Sequence, residues 1–186
     1  MDLLRRLLLG LTLSIAVLCA EGGAAGAEGR MTREYDMKAI FLFQFADFVN
    51  WPASTCPDTL TPITIGVLGN DPFGAGLDEV VAGETVGARK LVVRRFRTVE
   101  QVDSCHVLFI CASEAGRLEH IHAKLMGRSV LTVGETKDFA ARYGIVGFDV
   151  QRNRLKLRIN VAAADSAKLT ISSKLLRQAE LVASKG

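Results

Sequence analysis

The chain has 186 residues, 49% of them hydrophobic, with 23 Lys and Arg against 20 Asp and Glu and a formal net charge of +3. That apolar content excludes a disordered chain, and so small a positive excess gives no electrostatic footprint for nucleic acid. No repeat or low-complexity tract occurs beyond a Gly/Ala-rich leader.

The leader reads as a secretory signal over residues 1–27. Arg5 and Arg6 form its basic start, Leu7 to Leu18 its apolar run, and Ala25-Gly26-Ala27 a small-residue cleavage site, with Ala20 the next choice. The run falls short of the ~20 residues of a membrane span. Leu18 is too bulky before Cys19 for a lipoprotein signal. Residues 28–186 are then one secreted domain, large enough to bury ~70% of its unfolded surface without a staple. Cys56, Cys105 and Cys111 remain, an odd number in an oxidising compartment: one pair and a leftover thiol.

Arg33 to Val49 reads as a helix, with Phe41, Phe45 and Phe48 at core spacing. Asn50-Trp51-Pro52 ends it, since a residue before proline leaves helical geometry. Ile63 to Leu68 is a strand, and Gly69-Asn70-Asp71-Pro72-Phe73-Gly74 turns into a helix reaching Val81. Strand, Gly-rich turn and helix can seat an anion on backbone amides, which makes Gly69, Asn70, Asp71 and Gly74 candidate ligand residues. The Lys-Ser/Thr of a P-loop is missing, and a plain tight turn is the simpler reading.

Lys90 to Phe96 and His106 to Ile110 are further strands, separated by a helical turn over Thr98 to Val102. A helix follows from Ser113 or Glu114 to Met126, then a strand over Val130 to Val133 and a short helix ending near Gly144. Alternation of strand and helix predicts a three-layer α/β/α sandwich with a mostly parallel sheet, and right-handed crossovers favour strand order 2-1-3-4. Ile145 to Val150 and Arg154 to Asn160, joined by Gln151-Arg152-Asn153, form an antiparallel hairpin that extends one edge. In its second strand Leu155, Leu157 and Ile159 alternate with Lys156, Arg158 and Asn160. Ala162 to Ala183 reads as one long amphipathic helix.

No catalytic constellation emerges. His120 and His122 are two apart on a helix and cannot chelate together. Cys111 ends a strand before a helix but lacks a His/Asp pair, and no cofactor or metal pattern occurs. In order 2-1-3-4 the strand starts after Cys56 and after Cys105 are neighbours, which predicts a Cys56–Cys105 disulfide and leaves Cys111 free. Cys105 and Cys111 themselves stand ~20 Å apart along a strand. Arg94, Lys156 and Arg158 stand out among the cations as a candidate rim for an acidic partner surface.

Several stretches, in order, resemble one family. Lys38 to Phe45 with Trp51-Pro52, Val67 to Gly74, Cys105 to Ile110, Val130 to Val133, Arg158 to Ala163 and Leu169 to Leu176 are similar to the YfiR/HmsC-like family of periplasmic regulators. The resemblance implies a non-enzymatic, often dimeric protein. Such a protein restrains the periplasmic part of an inner-membrane diguanylate cyclase and can be sequestered by an outer-membrane lipoprotein. The alternative is a small-molecule-binding subunit feeding a sensor kinase. Two departures stand out: no Cys follows Cys111, where members often carry a pair, and Tyr143 replaces a common glycine.

Overall fold

The computed structural model describes residues 24–185 apart from 56, 57, 59 and 153, with side chains from residue 33 onward. Most of the expected signal peptide, Cys56 and the hairpin-turn residue Asn153 therefore lie outside the described residues. The chain divides into two units, Met1–Glu34 and Tyr35–Gly186. In the first unit the described residues are helical, belonging to α1 (Ala24–Phe48). The second unit carries the sheet and both cores.

Helix α1 is followed by β1 (Val49–Asn50), β2 (Ile63–Leu68), α2 (Ala75–Val81), β3 (Thr85–Val86) and β4 (Arg89–Phe96). After a 3-10 turn at Val99–Gln101 come β5 (Val107–Ile110), a second 3-10 turn at Ala112–Arg117, α3 (Leu118–Leu125) and β6 (Leu131–Gly134). The chain closes with α4 (Phe139–Arg142), β7 (Val146–Gln151), β8 (Arg154–Ile159), α5 (Val161–Ser166), β9 (Thr170–Ile171), α6 (Ser173–Leu176) and β10 (Ala179–Leu181).

The main sheet runs β10-β8-β7-β6-β5-β2-β4-β3. Strands β4, β2, β5, β6 and β7 are mutually parallel, with Gly66 beside Arg94 and Leu108, and Leu108 beside Thr132. The four strands expected to be parallel thus lie side by side as β4-β2-β5-β6, with the β7–β8 hairpin beyond β6. The sheet extends further than expected at both edges, through β3 and β10. Every residue of β2, β5 and β6 is buried, which is why these strands read as unbroken apolar runs.

Apolar side chains pack on both faces of the sheet. On one face α1, α2 and the turn before α2 lay Leu42, Phe45, Leu77 and Phe73 against Ile65 and Phe109. On the other, Leu118 and Ile121 of α3 and Phe139 of α4 cover Leu108 and Ile110. Phe45 is fully buried and stacks on Phe148 at 6.1 Å, while Phe41 and Phe48 are half-buried. A buried Phe contributes ~1.5–3 kcal/mol over an exposed one, so the aromatic side of α1 serves the core. The large hydrophobic residues that α1 exposes, among those described, are Met37 and Ile40, at 48% and 46%.

The long terminal helix is corrected. Its span divides into α5, β9, α6 and β10. Lys168, at φ 59°, ends α5 in the left-handed region, where Leu169 N–H turns back to Ala164 O. β-Branched Thr170 and Ile171 then pair with Asn50 and Val49. The Ser172 hydroxyl caps α6 by accepting from Lys174 N–H at 3.3 Å. Leu169, Ile171 and Leu175 are still buried, but three short elements bring them there instead of one stripe.

Candidate functional site

In an open α/β sheet the crevice at the carboxyl ends of the strands is the ordinary place for chemistry. Here the loops after β2, β5 and β6 meet there. Gly69 sits at φ 101°, and a Cβ on it would stand 2.5 Å from Ser113 Oγ, so this turn requires glycine. Asn70 N–H donates to the same Ser113 Oγ at 3.0 Å. Asp71 accepts from Phe73 N–H at 2.7 Å and from Arg95 Nε at 2.6 Å. Arg95 continues to Asp78 and to Gly74 O, at 2.5 and 2.7 Å. The expected cradle at Gly69, Asn70, Asp71 and Gly74 is thus a carboxylate-bearing turn whose cation is already supplied from β4. Helix α2 has only seven residues, too short to add a terminal anion site.

Beside it lies a cluster that the sequence reading missed. Lys38 of α1, 2% exposed, pairs with Glu135 at 2.5 Å. Glu135 also accepts from Tyr35 Oη–H at 3.2 Å and from Ala112 N–H at 3.3 Å. The Lys38 ammonium stands 4.4 Å from the centre of the Tyr35 ring. One carboxylate therefore ties α1 to the loops after β5 and β6. The legible signal was Lys38 itself, which shares the buried stripe of Leu42, Phe45 and Val49 at i+4, i+7 and i+11. A lysine there demands a buried partner.

The thiols are not poised to react. Burial, then the carboxylates of Glu135, Asp71 and Glu114, push Cys111 up to about 12. Burial does the same to Cys105, also to about 12. The expected Cys56–Cys105 disulfide involves Cys56, which lies outside the described residues; Cys105 itself carries a buried thiol in this structure. Its Sγ–H turns into the core, donating to Val107 O at 3.0 Å beneath Gly66.

The histidines are committed to structure. His106, 1% exposed, accepts Thr64 N–H on Nδ1 at 3.0 Å and sets its ring edge-on to Trp51. His120 pairs with Glu100 at 2.9 Å, and His122 meets Tyr143 O at 3.0 Å. Among the described residues no group of three His, Cys, Asp or Glu could hold a metal ion.

Arg94, Lys156 and Arg158 project from the same face of the sheet, the one covered by α3. They are not brought together, since β4 and β8 are five strand spacings apart, roughly 24 Å. Arg94 is paired with Asp103 at 2.8 Å. Arg158 bridges Asp138 and Glu180 at 3.5 and 3.2 Å. Lys156 is exposed.

The domain is mixed α/β with a mostly parallel sheet, and the ion pairs Lys38–Glu135 and Arg95–Asp71 lie at the carboxyl ends of its strands. The profile of the YfiR/HmsC-like family matches residues 35–180, well over half of the chain, and the protein belongs to that family. No curated protein is matched by the chain. At the level of the family, this is a regulator within cyclic-di-GMP signalling.

Proposed function

We propose that this protein is a non-enzymatic periplasmic regulator. It binds the periplasmic part of an inner-membrane diguanylate cyclase and restrains it. Family membership across residues 35–180 carries the reading. Two features of the described residues support it. At the carboxyl-end crevice, where an α/β enzyme would work, Lys38 is paired with Glu135 and Arg95 with Asp71. The two described thiols are buried and held protonated.

Secretion through residues 1–27 puts the mature chain opposite its partner. A homodimer is the acting form, and an outer-membrane lipoprotein is the opposing partner that withdraws it. Contact is steered by Arg94, Lys156 and Arg158, of which Lys156 is the least committed. The test is capture from a solubilised envelope with the mature protein as bait. The reading expects an inner-membrane protein with a cyclase output domain, and raised cellular cyclic-di-GMP when the regulator is deleted. Capture of a histidine kinase with unchanged cyclic-di-GMP would overturn it.

A further inference from the structure

We propose that a groove at the amino end of β6 and β7, opposite to the carboxyl-end cluster, binds a small amphipathic monocarboxylate. The site does not depend on the partner reading above. Its volume is about 350 Å³, at the small end of the ~300–1,000 Å³ range of small-molecule sites. It forms because α3 and α5 reach the starts of these strands from opposite faces of the sheet. Leu125, Val130 and Ile145 make its buried floor, and Ala162 and Ala163 of α5 with Ala167 just after it make a low wall. Small residues leave the space open: Gly127 and Gly144 line it too.

The rim decides the ligand's polarity. His122, Arg128, Thr132, Tyr143, Ser166 and Ser184 supply the polar groups, and no carboxylate lines the groove. The Arg128 guanidinium donates one N–H to Asp103 O at 2.9 Å and forms no ion pair among the described residues. Its remaining donors suit a carboxylate, which guanidinium binds through paired N–H bonds. An apolar floor with Arg128 as the one Lys or Arg on its rim selects a short apolar body carrying one negative charge. Met126, 68% exposed at the end of α3, stands at the mouth as an adaptable apolar flap.

Octanoate is the probe, and 1-octanol its uncharged control, followed by amide chemical shifts of the isotope-labelled protein. Octanoate is expected to move Gly127, Arg128, Ile145 and Ala163 saturably, and 1-octanol to bind about tenfold more weakly, the loss of a charge-assisted hydrogen bond. Ala162 is exposed, so Ala162→Phe fills the groove from outside and should cut octanoate affinity at least about tenfold. Met126→Lys should strengthen octanoate binding and Met126→Glu weaken it, each roughly two- to threefold for a charge ~7 Å away in water. The exposed Met126 pair reads the charge preference in a folded protein even where Ala162→Phe does not fold. Shifts that never saturate, equal binding of 1-octanol, or affinity unchanged in folded Ala162→Phe and in both Met126 variants would overturn the site.

Discussion

At the scale of single residues, the buried Lys38–Glu135 pair and His106 set the sharpest conditions on the fold. Each charge of the pair is costly to bury alone, and each is acceptable only because the other stands 2.5 Å away. Lys38→Met should therefore destabilise by about 3 kcal/mol, the cost of stranding Glu135. The double variant Lys38→Met/Glu135→Leu should recover at least half of that loss, read from urea midpoints. Equal stability of the single and double variants would show that the carboxylate is not the liability. His106 carries a pH dependence. Burial first, and then the positive charge of Arg89, hold it below its ordinary 6.5, so the folded protein refuses a proton that the unfolded chain accepts. Its contribution is complete above pH 6.5. It is lost as the pH falls below that value, at up to about 1.4 kcal/mol per pH unit until the folded group itself titrates. Protonation would also make Nδ1 a donor facing Thr64 N–H. His106→Asn keeps an acceptor toward Thr64 without the titration. Urea midpoints measured from pH 7.5 to 5 should fall in the wild type and stay nearly level in the variant.

At the scale of elements, the end of the chain shows what periodicity can and cannot reveal. Leu169, Ile171 and Leu175 carry the apolar signal and are buried at 2%, 8% and 1%. Leu176, on the stripe expected to face the core, is half-buried at the end of α6. Leu175→Ala should cost about 2–4 kcal/mol, and Leu176→Ala less than half as much. Thermal or urea unfolding of the two variants orders them, and the reverse order would restore a continuous helix with Leu176 inward. The β7–β8 hairpin behaves differently. Leu157 and Ile159 face the core, with Arg158 part-buried between them and Lys156 exposed before them. A period of two is read correctly there because one pairing register, Phe148 to Leu157, serves the whole strand.

For the whole molecule, the distance between the basic groups governs how a partner would be met. Arg94 and Lys156 lie on one sheet face but roughly 24 Å apart, beyond a Debye length of ~8 Å at physiological salt. Their effects on capture of an acidic partner should therefore add. Arg94→Glu and Lys156→Glu should each slow association, more at low salt than at high. The double variant should show the sum of the two free-energy changes within ~0.5 kcal/mol, measured as association rates at two salt concentrations. Strong coupling between the sites would mean that a second copy, or a bending of the sheet, brings them together.

Alternating apolar strands and helices, the unbroken runs of β2, β5 and β6, and the family's ordered motifs were all readable from the chain. These features depend on neighbours within a few residues, where side-chain period and turn chemistry act directly. Lys38 was visible as an anomaly on an apolar stripe, but Glu135 lies 97 residues away and nothing local names it as the partner. The same limit holds for Asp71 with Arg95, for the separation of Arg94 from Arg158, and for the groove between α3 and α5. The terminal helix failed as an expectation because pairing of Thr170–Ile171 with β1 and the left-handed turn at Lys168 outweigh helix propensity, which amounts to less than ~1 kcal/mol per residue. Only tertiary structure decides such features, because the free energy that settles them comes from burial and pairing between segments distant in the chain.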